Sequence, residues 1–156
     1  MSSLSDVSLI IATYNEEASL DFVLNEMKEY DFHEVIIVDG HSTDKTIDIA
    51  KKYNTKILLQ TERGWGAAVI QGFNYASGKY ITYMDGDGSY RPSSILHMKS
   101  KINEYDAVFG SRYKGGAKSP DDTFIRSIGN KLFTHITRLI FKINISDALF
   151  FFPFIK

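Results

Sequence analysis

The strongest constraint on this chain is an alternation along its length. Short apolar runs rich in β-branched residues give way to segments whose apolar residues recur every three to four positions. Residues 7–13 (VSLIIAT) are the first such run, and Leu20, Val23, Leu24 and Met27 follow at helical spacing. Residues 35–38 repeat the buried-strand pattern and end at Asp39-Gly40. Ser42 or Thr43 is expected to cap a helix carrying Ile47, Ala50 and Tyr53. Residues 56–61 read as a third, more exposed strand. Gly64 and Gly66 open a helix bearing Val69, Phe73 and Ala76, which Gly78 closes.

Residues 80–84 form a fourth strand ending at Asp85. Pro92 suits the first position of a helix with Ile95, Met98 and Ile102 on one face. Residues 107–109 make a short strand before Gly110-Ser111-Arg112, residues 114–123 a long loop, and Ile125, Ile128, Leu132, Ile136 and Leu139 mark a last helix. Alternation of this kind predicts a doubly wound α/β fold, a mostly parallel sheet with helices on both faces. With 156 residues and no internal repeat, one domain spanning 1–156 is expected.

Composition narrows the function classes. Eighteen Lys+Arg against nineteen Asp+Glu leave a net charge of -1, so no global basic excess exists to hold nucleic acid. Cysteine is absent, which excludes disulfides and thiolate chemistry and permits a reducing compartment. The opening residues lack the basic stretch of an export signal. The longest apolar run, residues 148–155, contains Pro153 and falls well short of the roughly 20 residues a membrane-spanning helix needs. A cytoplasmic location is expected, with peripheral contact at the cytosolic membrane face open.

In an open parallel sheet, ligands bind beyond the carboxyl ends of the strands. Those ends carry Thr13-Tyr14-Asn15-Glu16, Asp39, Asp85-Gly86-Asp87 and Gly110-Ser111-Arg112. Asp85-Gly86-Asp87 is the most informative. Asp-Gly is a hairpin signal, but here the chain runs on through Pro92 into a helix, so the turn joins strand to helix. Two carboxylates one residue apart offer hard oxygens suited to Mg²⁺ or Mn²⁺ on a diphosphate, and Gly86 lets backbone approach a ligand. A plain turn is the alternative. Taken alone, Asp39 reads as a strand terminator, Glu16 as an acid favouring a first helical turn, and Arg112 as a surface residue. The four histidines show no ligand spacing. Gly64-Trp65-Gly66 lacks the phosphate-loop pattern, and its glycines are expected to allow close helix packing.

Five segments in order carry a resemblance: Ile11-Ala12-Thr13-Tyr14-Asn15-Glu16, Ile37-Val38-Asp39-Gly40-His41-Ser42-Thr43-Asp44-Lys45-Thr46, Gly64-Trp65-Gly66-Ala67-Ala68, Tyr83-Met84-Asp85-Gly86-Asp87-Gly88-Ser89 and Gly110-Ser111-Arg112-Tyr113. Together they resemble glycosyltransferase family 2, which has the GT-A fold. Gly-x-Gly-Ala-Ala, Ser-Arg-Tyr, and Arg126 followed by Asn130 resemble most the polyprenyl- or dolichyl-phosphate sugar synthases, with mannose or glucose as the sugar.

The resemblance implies a nucleoside diphosphate sugar donor (GDP- or UDP-sugar) and inverting transfer to a polyprenyl phosphate or a saccharide hydroxyl. By the same resemblance, Ala12, Thr13, Tyr14, Glu16 and Gly86 line the nucleotide pocket and Asp39 meets base or ribose. Asp85 and Asp87 bind Mg²⁺ or Mn²⁺, Ser89 completes the metal shell, and Arg112 and Arg126 meet phosphate. Asp147 is the downstream candidate for a general base. The chain departs from the family pattern after Ser146-Asp147, where a Gly-Phe-Arg-like segment is expected, and it stops at Lys156. It reads as C-terminally truncated, lacking acceptor-side elements. A non-catalytic nucleotide- or phosphate-binding domain is the competing class. Against a receiver-type domain stand the paired aspartates and an arginine, not a lysine, after the fifth strand.

Overall fold

The computed structural model describes residues 3–112 and 124–156, without the side chains of residues 124–127. The expected loop at 114–123, Tyr113 and the Arg126 side chain lie outside the described residues. The chain packs as two compact units, residues 1–108 with 154–156, and residues 109–153.

The first unit is built on β1 (Ser3–Thr13), β2 (Asp31–Asp39), β3 (Lys56–Leu59) and β4 (Tyr80–Asp85), with α1 (Leu20–Met27), α2 (Thr46–Ala50), α3 (Trp65–Tyr75) and α4 (Ser93–Lys101) between and after them. Two short strands, β5 (Ala107–Phe109) and β6 (Pro153–Ile155), complete a six-stranded sheet of order β3-β2-β1-β4-β6-β5. β1 pairs parallel with β2 and β4, and β2 parallel with β3. β6 runs antiparallel to β4. Because β1 lies between two partners and is covered on both faces, Val7, Leu9, Ile10 and Ile11 are fully buried. That double burial is why residues 7–13 show a continuous apolar run in place of an alternating one.

The expected elements all form, with shifted ends. β1 begins at Ser3, with a register shift between Leu4 and Ser8, and β2 begins at Asp31. α2 is a five-residue helix starting at Thr46. Neither Ser42 nor Thr43 caps it, because both are engaged with Asn15 and Asp39, and Tyr53 lies beyond its end. α3 stops as Ala76 turns extended (ψ 139°), so Gly78 does not cap it. A side chain at Gly78 would meet the Ser8 backbone nitrogen at 2.7 Å, which makes the glycine a close-approach position against β1.

The packing glycine of α3 is also not the expected one. A Cβ at Gly64 or Gly66 meets nothing within 4 Å, whereas one at Gly72 would lie 2.5 Å from Ile10 Cγ2. Gly72 therefore seats α3 on the sheet. Gly64 serves a different need, a φ of 106° at the turn into the helix.

In the second unit, α5 (Phe124–Phe141) presents Asn130 and Thr134 inward, while Ile128, Leu132, Ile136 and Leu139 are exposed. The polar side is buried because it serves Asp147, as described below. No helix among the described residues is long and apolar enough to cross a membrane.

Candidate functional site

Strand order reverses at β1: β2 and β3 lie on one side of it and β4 on the other. A crevice outside the carboxyl ends at such a switch point is where open α/β sheets bind ligands. Pairing sets the edge residues level, Ala12 with Asp85 and Thr13 with Asp39. Above them opens a cleft of about 800 Å³, lined from β1 and its loop by Ala12, Thr13, Tyr14 and Glu16, and after β4 by Asp85, Gly86 and Asp87. Seven of the residues singled out from sequence thus meet in one cavity.

Asp39 does not line it. The residue is fully buried, and its carboxylate accepts hydrogen bonds from the Ser42 amide (2.8 Å), the Ser42 hydroxyl (2.6 Å) and the Thr13 hydroxyl (3.1 Å). Ser89 is exposed and also outside the cleft lining, and its amide donates to Asp87 Oδ1 at 2.9 Å.

The loops after β1 and β2 are knitted together. The Asn15 amide donates to Ser42 Oγ (2.9 Å), and the Thr43 amide returns to Asn15 Oδ1 (2.8 Å). The Glu16 amide donates to Thr46 Oγ1 (2.7 Å), and the Glu17 amide to Asp44 (3.1 Å). The Lys45 amide closes the set on Glu17 Oε2 (3.0 Å). Asn15 and His41 take positive φ, 55° and 65°, to make these turns. Ser19 ties the same region to the aspartate loop, donating to Glu16 Oε2 (3.0 Å) and to the Gly86 carbonyl (2.9 Å).

A third wall received no site role from the sequence, although Gly40, His41, Gly64, Trp65 and Ala68 lie within the resembling segments. Gly40, His41, and the segment Gln60, Thr61, Glu62, Arg63 and Gly64 line the cleft, followed by Trp65 and Ala68 at the start of α3. Gln60 leaves β3 with its amide on the Asp39 carbonyl (2.8 Å) and donates from its side chain to the Gly64 carbonyl (2.7 Å). The strand-end rule applied to β3 as it was to β1, β2, β4 and β5 would have found this segment.

Trp65 joins this wall to the aspartates. Its indole N–H donates to the Tyr83 hydroxyl (2.6 Å) and lies 3.3 Å from Asp85 Oδ1, and the Tyr83 hydroxyl donates to the same Asp85 oxygen. The two rings meet edge to face at 5.5 Å. Burial, with the adjoining Asp85 carboxylate, pushes the Tyr83 hydroxyl well above the ordinary phenol range.

Two carboxylates flank the cleft at Asp85 and Asp87, and no group of three or more His, Cys, Asp or Glu side chains converges among the described residues. This donor set fits Mg²⁺ or Mn²⁺, which are held by one or two carboxylates and take their other ligands from phosphate and water. It does not fit an all-protein cage.

The second unit holds a separate polar cluster. Arg112 grips Asp147 through Nε (2.9 Å) and a terminal nitrogen (3.1 Å), and its backbone N–H reaches the same carboxylate (3.2 Å). Asn130 adds a fourth donor at 2.8 Å, and Thr134 accepts from the Ala148 amide at 3.0 Å. Burial raises the Asp147 carboxyl, but hydrogen bonds from Arg112 and Asn130 outweigh it and hold the group below the usual carboxylate range. The guanidinium also lies 5.2 Å from the centre of the Phe150 ring.

A mostly parallel α/β sheet with an acidic cleft at its switch point defines a protein with a Rossmann-like fold of the GT-A kind. The chain belongs to Glycosyl transferase family 2, whose sequence pattern matches residues 8–156. It is 35% identical over 135 residues to a dolichol-phosphate mannosyltransferase of Pyrococcus furiosus, covering 80% of this chain and 38% of that protein. It is 28% identical over 148 residues to the glycosyltransferase AglJ of Haloferax volcanii, covering 92% and 48%. The chain thus spans half or less of the length of these two curated relatives. Glucosyl-3-phosphoglycerate synthase from Mycobacterium tuberculosis, solved with Mn²⁺, UDP and phosphoglyceric acid, shares the fold at a TM-score of 0.73 and 17% identity, over 96% of this chain and 55% of that one. A mannosyltransferase from Pyrobaculum calidifontis, solved with GDP-Man and Mn²⁺, gives a TM-score of 0.59 at 23% identity, over 68% of this chain and 35% of that one.

Proposed function

We propose that the chain carries the donor half of a glycosyltransferase that moves a sugar from a nucleoside diphosphate to a polyprenyl phosphate, with inversion at the anomeric carbon. The observation that carries this is the cleft at the β1–β4 switch point, where Asp85 and Asp87 share a cavity with Ala12, Thr13, Tyr14 and Glu16. Ala12, Thr13, Tyr14, Glu16 and Gly86 receive the nucleotide. Asp39, sequestered from the cleft, acts on it by fixing Thr13 and Ser42. Asp85 and Asp87 are the residues that would hold a Mg²⁺ or Mn²⁺, which would supply positive charge for the departing diphosphate. Ser89 keeps Asp87 oriented through its amide.

On the acceptor side, an oxygen of the lipid phosphate bonds to the anomeric carbon as the carbon–diphosphate bond breaks, releasing the nucleoside diphosphate. A phosphate oxygen is already ionised, so no proton acceptor is needed. Asp147 supports this choice over a saccharide hydroxyl. Four hydrogen bonds, two of them from the Arg112 guanidinium, saturate it, so it positions Arg112 and does not take a proton. Arg112 and Arg126 supply cations for phosphate. Peripheral contact with the cytosolic membrane face belongs to the same proposal. Residues 124–146 contain no Asp or Glu, and Lys131, Arg138 and Lys142 are interspersed among the exposed apolar residues of α5.

The test is a screen of UDP- and GDP-sugars with Mn²⁺ or Mg²⁺, using a short-chain polyprenyl phosphate and a soluble oligosaccharide as acceptors. Metal-dependent transfer to the polyprenyl phosphate is expected. Transfer only to the oligosaccharide overturns the lipid assignment, and absence of any nucleotide-sugar binding overturns the whole proposal.

A further inference from the structure

A hydrogen-bond chain runs from Trp65 through Tyr83 to Asp85, and its first two members have no part in the function argued so far. A tyrosine ring at position 83 satisfies the core by its bulk alone, since the residue is fully buried. Its hydroxyl is a different matter. On a fully buried residue, an oxygen is retained at a desolvation penalty unless it is well partnered. Here it is partnered on both sides: it accepts from the Trp65 indole N–H and donates to Asp85 Oδ1. The indole has one N–H and no acceptor, so it fixes which way the hydroxyl proton points. That proton is directed at the carboxylate. Trp65 is about half exposed on the cleft wall, the first residue of α3 after the Gln60–Gly64 segment.

We propose that Tyr83 is a positioning residue, oriented by Trp65, that fixes the Asp85 carboxylate for a divalent cation and makes Trp65 an optical reporter of that cation's arrival. This rests on the donor-site function above. Outer partners of ligating carboxylates restrict their rotation, and losing one typically lowers metal affinity about 10–100-fold. The Tyr83 hydroxyl bonds to Trp65 and Asp85, so the property it is expected to govern is metal affinity, not nucleotide affinity without metal.

The chain contains a single tryptophan, so emission comes from Trp65 alone. The experiment titrates Mn²⁺ into the full 156-residue chain with saturating UDP or GDP, reading Trp65 emission and, in parallel, free Mn²⁺ by electron paramagnetic resonance. Tyr83→Phe removes the hydroxyl and keeps the ring, with circular dichroism confirming the fold. Trp65→Phe is followed by resonance alone. Expected is a saturable emission change in the native chain, and Mn²⁺ affinity about tenfold weaker in both variants. Metal-free nucleotide affinity of the Tyr83→Phe chain should stay within twofold. Equal Mn²⁺ affinity in native and Tyr83→Phe chains overturns the proposal and leaves the donor site standing. Equal losses of metal-free and metal-dependent binding also overturn it, because a merely structural role for the hydroxyl predicts that pattern. A native chain that binds no Mn²⁺ with either nucleotide overturns both.

Discussion

Single residues in this fold are constrained by what lies a few ångströms away, and Gly72 is the sharpest case. Its missing side chain is space occupied by Ile10 Cγ2 and Val38 Cγ2, at 2.5 and 3.2 Å from where a Cβ would stand. Helix propensity favours alanine over glycine by up to about 1 kcal/mol, so a helix judged alone would gain from Gly72→Ala. Overpacking against a central strand costs about 1–3 kcal/mol and wins. We expect Gly72→Ala to lower stability by about 1–2 kcal/mol in urea denaturation, whereas Gly66→Ala, with open space around it, should be neutral or stabilising. The same scale explains what the sequence concealed. Gly66 and Gly72, both inside α3, differ in what surrounds them, and spacing along the chain contains no record of Ile10.

Among elements, Glu34 is a junction. Lying near the start of β2, it receives Ser8 from β1 (2.6 Å), Lys56 from β3 (2.7 Å) and the Ser77 amide from the turn before β4 (2.7 Å). Burial raises its carboxyl, but Lys56, Ser8 and Ser77 outweigh that and bring it from 4.5 down to about 2. Because the folded value lies below the unfolded one, the stabilisation is complete above pH 4.5 and disappears as the pH falls toward 2. It amounts to about 3 kcal/mol at most. Glu34→Gln should therefore flatten the pH dependence of the melting temperature across that window, with little further effect on its slope at neutral pH. The carboxyl ends of the strands were legible because apolar runs stop where polar residues begin, as at Thr13, Asp39 and Asp85, whereas β6 and the spatial order of the strands were not read from the sequence. The length of α2 was not, since its start is decided by Ser42 and Thr43 bonding to residues some 27 positions away, counting Asn15 and Ser42. The inward side of α5 was equally hidden. A buried carboxylate at Asp147 needs donors, and that need puts Asn130 and Thr134 inside where apolar periodicity would have placed leucine and isoleucine.

For the molecule as a whole, a net charge of -1 conceals an uneven distribution. Residues 124–146 carry four Lys and Arg and no acid, together with Ile128, Leu132, Phe133, Ile136, Leu139, Ile140 and Phe141, all exposed. Sedimentation with anionic vesicles should carry the protein down at low salt and release much of it at 0.5 M, with little binding to neutral vesicles. Recovery of all the protein in the supernatant at low salt would remove membrane contact from the proposed function.

The interlocked loops after β1 and β2 bear on how fast a donor is captured. Amides of Asn15, Glu16, Glu17, Thr43 and Lys45 are already committed to side chains across the cleft edge, so this wall stands assembled before any nucleotide arrives. Association then requires no preceding isomerisation of that wall. Stopped-flow mixing with nucleotide in excess should give an observed rate that climbs linearly with concentration. Asn15→Ala, which removes the side-chain acceptor of the Thr43 amide and hydroxyl, should bend that line toward a plateau, as molecules with the edge undone wait for it to close.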